Sequence, residues 1–300
     1  MHITKNLKYF FILPAALSIA AIAALGVWGL KPGIDLAGGS LLEVRYPAGR
    51  PPVEAVRERV DVLRLGEVRV QPTGESGFIL RQRNLAEEER QMLLQPLRNL
   101  GEMEEVQFSS IGPSLGAELM RKAWIAITLV VVLIIAFIAF AFRHVSKPVA
   151  SWKYGIVAIL TLLHDILIPV GLFAFLGGTA GAEVDALFIV ALLTILGISI
   201  NDTIVVFDRI RENLRKNEEA HRREEFESVV GRSITQTVTR SINTSVTVII
   251  VLLALYFLGP ESTRNFALTL IVGMIAGTYS SIFLASPLLV VWERFSNRKK

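Results

Sequence analysis

The sequence contains no cysteine, which excludes disulfides and thiol chemistry. It also lacks the short motifs of common soluble enzymes: no H-E-x-x-H zinc helix, no G-x-S-x-G nucleophile turn and no G-x-G-x-x-G dinucleotide loop occurs. Hydrolytic, metal-dependent and dinucleotide chemistry therefore have no starting point. We predict that the protein is not an enzyme, has no catalytic or metal site and binds no cofactor.

A glycine-rich stretch follows the first apolar run. Residues 33–40 read GIDLAGGS, and their glycine spacing is close to that of a phosphate-binding loop. Gly39, however, stands where such a loop requires its lysine. We therefore expect Asp35, Gly38 and Gly39 to form a tight structural turn where the chain leaves the membrane.

Long apolar runs dominate the composition. Hydrophobic residues make up 52% of the chain and the mean hydropathy is +0.51, whereas apolar residues including glycine make up roughly 45–50% of soluble domains. Six runs approach the roughly 20 residues with which an α-helix crosses a hydrocarbon core: 9–30, 123–142, 154–178, 186–207, 242–259 and 266–292. The first exceeds a signal-peptide core of roughly 7–15 residues and is predicted to be an uncleaved anchor. The sequence predicts an α-helical membrane protein with six transmembrane helices.

Lysine and arginine predict the orientation, because short loops rich in them stay in the cytoplasm. They cluster before the first run, between the second and third, and after the sixth: Lys5, Lys8, Arg143, Lys147, Lys153, Arg294, Arg298, Lys299 and Lys300. The loop at 178–185 carries only acidic charges. We predict that both termini are cytoplasmic and that the net charge of +4 reflects this topology and not nucleic-acid binding.

Residues 31–122 are the one soluble stretch large enough to fold alone. Strand-like alternation at 40–46, 67–70, 78–83 and 104–108, with helical spacing at 52–65 and 86–100, gives the order βαββαβ. That order is typical of a ferredoxin-like domain, in which two helices cover one face of a four-stranded antiparallel sheet. An irregular α+β cap is the alternative. The topology places this domain outside the cytoplasm.

A second polar segment, residues 208–241, is predicted to be cytoplasmic and amphipathic. Its mixed charges are typical of a solvated helical face with i, i+4 pairs, and docking or gating is the functional alternative. An apolar stripe is expected to lie against the membrane surface: Phe226, Val229, Val230 and Ile234. The predicted organisation is 1–30 with helix 1, 31–122, 123–207 with helices 2–4, 208–241, and 242–300 with helices 5–6 and a basic C-terminus.

Ionisable groups interrupt two of the apolar runs. A charge near the middle of a spanning helix costs roughly 2.5–3.5 kcal/mol on insertion scales, so a charge that is present normally has a partner or lines a polar path. His164 and Asp165 lie about 18 Å along the third helix from Lys153. Asp202, next to Asn201, lies about 10 Å along the fourth helix from Arg209. The two carboxylates could share one hydrated cavity.

Arg240 stands at the start of the fifth helix, near the same cytoplasmic face of the membrane as Asp202, so its guanidinium can reach towards Asp202. A carboxylate opposite an arginine is charged while paired and takes up a proton when separated in an apolar setting. Alternation between these states would carry protons; a static buried ion pair is the alternative. His164 is either a proton relay or a polar neighbour of Asp165.

At these residues the sequence resembles a known family. The string GISINDTIVVFDRIREN at 197–213, with GIDLAGGS, the His164-Asp165 pair and RSINTS at 240–245, is similar to the SecF family of bacterial protein-export membrane proteins, which belongs to the RND-type superfamily. The resemblance spans nearly the whole chain. It implies a multi-pass protein of the bacterial inner membrane that works with SecD beside the SecYEG channel.

The resemblance further implies a function driven by protons. The chain would be half of a twelve-helix unit that uses the proton gradient to help move preproteins, with proton conduction at Asp202 and Arg240. Two rivals remain: a structural subunit that moves no protons, and half of a small-molecule exporter that would need a homodimer. In the last run Gly273, Gly277, Ser281 and Ala285 form a small-residue row suited to close contact within the bundle or with SecD.

Overall fold

The computed structural model describes residues 7–141 and 151–297. The chain divides into two compact units. The soluble unit comprises Pro32–Ile125 with Val184–Ala186, and the membrane unit comprises the described parts of residues 1–31, 126–183 and 187–300. Several of the basic residues on which the predicted orientation depends lie outside the described residues: Lys5, Arg143, Lys147, Arg298, Lys299 and Lys300.

Helices make up most of the described chain. In chain order the elements are α1 (Leu7–Trp28), α2 (Ile34–Ala37), β1 (Gly39–Arg45), α3 (Val53–Asp61), β2 (Arg69–Thr73), β3 (Gly77–Gln82), α4 (Glu87–Arg98), β4 (Glu104–Ile111), α5 (Pro113–Ala141), α6 (Ser151–Ala180), α7 (Ala186–Glu219), α8 (Phe226–Leu258), α9 (Glu261–Ser280), a π-helix (Ser281–Ala285) and α10 (Ser286–Asn297). Six helical stretches of the described residues are long and apolar enough to cross a membrane. The predicted number of spans is confirmed.

The soluble unit has the predicted βαββαβ order. Its sheet is antiparallel with the strand order β2-β3-β1-β4, which is the ferredoxin-like arrangement. Leu42, Phe78 and Leu80 of the sheet and Val56 and Leu93 of α3 and α4 belong to one buried core. β2 begins two residues later than predicted and contains Pro72, which an edge strand tolerates because its outer side needs no ladder partner.

α7 and α8 are longer than the apolar runs that predict them. α8 begins at Phe226, sixteen residues before the predicted run at 242, and its first turns pack against the end of α7. Asn213 of α7 donates to Ser233 Oγ at 2.8 Å and to Gln236 Oε1 at 2.9 Å. The segment from 208 to 241 is therefore mostly helical, with the end of α7 and the start of α8 forming a hairpin.

The apolar stripe of this segment lies elsewhere than predicted. Phe226, Val230 and Ile234 are buried in the same core as Phe207 and Leu289. The expectation that the stripe lies against the membrane surface is therefore wrong, because other helices of the same chain cover these side chains.

The last apolar run is interrupted by the π-helix. The sequence predicts one helix over 266–292, whereas α9 ends at Ser280 and α10 begins at Ser286. A π-helical turn accommodates one additional residue and occurs often at functional sites. Ser280, Ser281 and Ser286, which flank or belong to this turn, are fully buried.

Candidate functional site

The carboxylate of Asp165 on α6 is fully buried inside the membrane unit. His164 Nδ1 lies 2.9 Å from Oδ1, Ser280 Oγ donates to Oδ2 at 2.7 Å, and Ser199 Oγ donates to the same oxygen. Burial of a charge is tolerated when it is paired and hydrogen-bonded. Because Ser199 belongs to α7 and Ser280 to α9, this one carboxylate joins three helices.

His164 uses one ring nitrogen only. Its side chain is 7% exposed, and within the described part of the chain the buried Nε2 has no hydrogen-bond partner. The contact at Nδ1 fixes the ring against Asp165 and leaves Oδ2 to the two serines.

Two glycines on α9 allow it to approach α7 closely, because glycine has no side chain. A Cβ atom on Gly273 would lie 2.2 Å from Ile195 Cδ1, and one on Gly277 would lie 3.3 Å from Ser199 Cβ and 3.6 Å from Asp165 Oδ2. Of the two predicted roles for the small-residue row, these two glycines take the contact within the bundle.

Asp202 lies one helical turn after Ser199 on α7 and is partly buried. Ser241 Oγ of α8 donates to its Oδ1 at 3.3 Å. Ser199, Asp202, Gly277 and Thr278 line a small cavity of about 10 Å³, with Ile195, Ile198, Gly273 and Met274 completing its wall. That volume is about the minimum for one water molecule.

Arg240 lies at a wider cavity nearer the polar ends of α7 and α8. This cavity, of about 150 Å³, is lined mostly by polar groups: Asp208, Arg209, Glu212, Gln236, Thr237 and Arg240, with Val205. Arg240 and Asn201 are exposed on the surface of this chain. Arg240 and Asp202 both belong to the described part of the chain, and no nitrogen of Arg240 comes within 4.0 Å of a carboxylate oxygen of Asp202. The contact that Asp202 makes with α8 is to the residue after Arg240, and the pairing of Arg240 with Asp202 stays a prediction.

Asp35, Gly38 and Gly39 lie in the soluble unit, where the chain turns between α2 and β1. Asp35 Oδ2 accepts from the backbone N–H of Ala186 at 3.3 Å, and the N–H of Gly33 donates to the carbonyl of Val184 at 2.8 Å. Gly38 has φ +78°, and a Cβ there would lie 2.8 Å from Pro113 Cα. The segment thus contacts the first residues of both α5 and α7.

Three hydroxyl groups of the site were not predicted from the sequence. Ser199, Ser241 and Ser280 each donate to one of the two carboxylates. The signal that could have found Ser199 is its spacing, three residues before Asp202, which places the two on one face of a helix.

The site is suited to proton binding and transfer. Among residues 7–141 and 151–297, no group of three or more His, Cys, Asp or Glu side chains could hold a metal ion. Carboxylates bind protons, and serine hydroxyls both donate and accept hydrogen bonds.

Two family models match the chain. The C-terminal model of the protein export membrane proteins SecD and SecF matches residues 93–295, more than half of the chain. The SecD/SecF GG motif matches residues 23–46, which include the Asp35 turn. This chain belongs to the SecD/SecF family.

Relatives and solved structures agree with this family. The chain is 43% identical to the protein translocase subunit SecF of Thermobaculum terrenum over 95% of this chain and 91% of that one. It is 37% identical to SecF of Anaerolinea thermophila over 98% and 94%. The crystal structure of SecDF from Thermus thermophilus, a translocon-associated membrane protein, is 32% identical with a TM-score of 0.83, covering 97% of this chain. The chain spans 38% of that SecDF.

Proposed function

We propose that this SecD/SecF family member is an accessory subunit of the Sec protein translocase. Together with SecD and beside the SecYEG channel, it uses the proton-motive force to promote preprotein export across the bacterial inner membrane. Both termini are cytoplasmic in this proposal and the soluble unit lies on the outer side. Relatives over nearly the whole chain are named translocase subunits, which supports the assignment to the translocase.

The observation that carries proton coupling is the pair of carboxylates in the membrane unit. Asp165 and Asp202 lie on helices that can span a membrane, and hydroxyl groups donate to both. One charge crossing the membrane releases about 2.3 kcal/mol per 100 mV, which is a useful fraction of the energy that shifts a two-state protein. We assign the proton pathway to Asp202, Arg240, Asn201 and Asp165, with His164 either as a proton relay or as a polar neighbour of Asp165.

In this pathway Asp202 alternates between two states. Unprotonated, it attracts the guanidinium of Arg240 from the wider cavity; protonated, it loses that attraction and keeps its hydrogen bond with Ser241. The step involves only protons and helix movement, so no covalent chemistry is assigned to the chain.

Exposed polar side chains on α7 and α8 indicate that a partner covers this surface of the two helices. Asn201, Arg240 and Asn243 are exposed on helices that can span the membrane, and polar groups at such positions normally face protein or a water-filled cavity. SecD is the partner that we assign, because the chain matches only 38% of the Thermus SecDF and the family model that matches it is shared by SecD and SecF.

The test is preprotein translocation into inverted vesicles that contain the Sec channel, this chain and a SecD partner. The wild-type complex should be stimulated by an imposed proton gradient, and Asp202→Asn should remove the stimulation while the complex still assembles. Asparagine has nearly the shape of a protonated aspartic acid and introduces no charge. Glu219→Gln, an exposed change at the end of the same helix, is the control and should retain it. Full stimulation of Asp202→Asn would instead favour a structural subunit that moves no protons.

A further inference from the structure

We propose that the hydroxyl of Ser199 transfers a proton between Asp202 and Asp165, so that Asp165 is a second proton-binding station inside the bundle. The inference rests on the proposed function and extends it to Ser199, a residue outside the predicted pathway. It gives His164 a positioning role and not a role in conduction.

The first support is the contact of Ser199 with Asp165. The Ser199 hydroxyl donates to Oδ2, and a hydroxyl that donates in this way keeps lone pairs with which it can accept. Ser199 is itself buried, so bulk water does not compete for those lone pairs.

The second support is the cavity between Ser199 and Asp202. Both side chains line it, and its volume of about 10 Å³ is about what one bridging water needs. A water there would join the Asp202 carboxyl to Ser199 Oγ across the single turn that separates them.

The proton balance of the step is complete. Protonated Asp202 gives its proton to the water, the water gives one of its own protons to Ser199 Oγ, and Ser199 gives its original hydroxyl proton to Asp165. Asp202 ends ionised and Asp165 ends neutral. The water and the serine keep their composition, and rotation of the hydroxyl restores the starting geometry.

Gly277 makes this cavity possible. Its absent side chain leaves open the space beside Ser199 Cβ and Asp165 Oδ2. Alanine at this position would narrow the cavity while keeping both carboxylates and the serine hydroxyl, with its Cβ 3.3 Å from Ser199 Cβ.

The contacts of His164 favour a positioning role. Within residues 7–141 and 151–297 its buried Nε2 has no partner among the protein groups, whereas its Nδ1 contacts Asp165 Oδ1. The imidazole fixes Oδ1 and thereby directs Oδ2 to Ser199 and Ser280.

Ser280 links the protonation state of Asp165 to the π-helix that follows α9. Its hydroxyl lies within hydrogen-bonding distance of Asp165 Oδ2, at 2.7 Å, and of the Gly277 carbonyl, at 3.1 Å. When Asp165 is neutral, its carboxyl needs fewer donors and the Ser280 hydroxyl can turn to the carbonyl. This change occurs at the last residue of α9, directly before the π-helix.

The test combines infrared difference spectroscopy with vesicle translocation, both on the complete complex. Lowering the pH of the wild-type complex should produce two carboxylic-acid carbonyl bands, removed one each by Asp202→Asn and Asp165→Asn. Ser199→Ala should keep the Asp202 band, lose or greatly delay the Asp165 band, and lower gradient-driven stimulation about a hundredfold or more, because a positioned proton-transfer group contributes roughly 10²–10⁴-fold. Ser199→Thr, which keeps the hydroxyl, should restore both readouts.

Ser286→Ala is the matched control, because the hydroxyl of this buried serine donates to the carbonyl of Ser281, at 3.5 Å. Wild-type bands and stimulation in Ser199→Ala would overturn the relay. If Ser199→Ala does not assemble, Gly277→Ala decides: loss of the Asp165 band supports the relay and its retention overturns it. If the wild-type complex shows both bands but no stimulation, the proposed function is contradicted and the relay is not. If it shows stimulation with the Asp202 band alone, the relay is contradicted and the proposed function is not.

Discussion

Asp165 and Asp202 differ in how the bundle surrounds them. Asp165 is enclosed by donors from three helices, whereas Asp202 is partly exposed and holds one hydroxyl contact. A fully satisfied buried carboxylate stabilises one arrangement of its helices, and an incompletely satisfied one can change partners. Asp202 is therefore the residue of the two that suits a moving contact with Arg240.

Removing Arg240 should be more damaging than neutralising Asp202. We expect Arg240→Ala to impair both gradient-driven translocation and assembly of the complex. In the proposed complex SecD covers this surface, so the charge of Asp202 would be left buried without its partner, which commonly costs about 3–5 kcal/mol. Yield of the co-purified complex and stimulated translocation are measured side by side with Asp202→Asn. Arg222→Ala, at the exposed end of the hairpin, is the control. Normal assembly of Arg240→Ala would show that Asp202 does not depend on this guanidinium.

The carboxylates could be predicted from the sequence and their hydroxyl partners could not. A charge within an apolar run is conspicuous because of its cost. Serine and threonine in such runs normally bond to their own helix, as Thr247 Oγ1 does to the carbonyl of Asn243 at 2.8 Å. Ser199 looks the same in sequence, and only the packing of α6 against α7 shows that its partner is Asp165.

At the scale of helices, close packing depends on a few glycines. A Cβ on Gly171 of α6 would lie 2.3 Å from Ala21 Cβ and 2.4 Å from Ala21 Cα, and the second of these is backbone, which cannot rotate away. Gly171→Ala should therefore separate α6 from α1 and lower the thermal unfolding midpoint of the purified protein. Overpacking typically costs about 1–3 kcal/mol.

Gly197→Ala is the matched control for that change. It is also a helical glycine, and nothing lies within 4 Å of its Cβ position. Alanine favours a helix interior over glycine by about 0.8–1.0 kcal/mol, so the midpoint should stay or rise. An unchanged midpoint in Gly171→Ala would show that α1 and α6 can separate without cost. Tryptophan fluorescence during heating measures both.

The start of α4 gives the soluble unit a pH dependence. Hydrogen bonds from Arg83, at 2.9 Å, and from the backbone N–H of Ala86, at 3.1 Å, lower the pKa of Glu89 from 4.5 to about 2. A carboxylate with a lowered pKa stabilises the fold above its ordinary pKa and loses this effect as the pH falls towards the folded value. The fragment 31–122 should fold cooperatively and lose stability between about pH 4.5 and 2.

Glu89→Gln should flatten that pH dependence. Chemical denaturation followed by circular dichroism across this pH range measures it, and Glu58→Gln, on an exposed position of α3, should behave like the wild type. Equal acid sensitivity of Glu89→Gln and the wild type would assign the effect to other carboxylates.

Helix ends were predicted less well than helix existence. The apolar runs of α7 and α8 stop where charged residues begin, but both helices continue because Phe226, Val230 and Ile234 find a core to pack against. Burial of those side chains depends on α10, which lies far away in the sequence, so a local pattern cannot indicate it. The π-helix escaped prediction for a similar reason, since its composition is that of any buried helical turn.

At the scale of the whole molecule, orientation is the property that basic residues predict. A reporter enzyme fused after Gly74, in the turn between β2 and β3, should be active outside the cytoplasm, and one fused after Arg222, in the hairpin between α7 and α8, should be active inside. Phosphatase and fluorescent-protein fusions measure the two cases. The opposite pattern would invert the predicted topology.

The length of α7 has a mechanical consequence. Its 34 residues span about 51 Å, whereas a hydrocarbon core is about 30 Å thick, and Asp202 lies at the midpoint of the helix. A rigid lever that tilts about 5° around its centre displaces each tip by about 2 Å, in opposite directions. One tip begins at Ala186, whose N–H is held by Asp35, and the other reaches the hairpin at Glu219. A tilt of α7 about Asp202 would therefore move both ends of the helix at the same time.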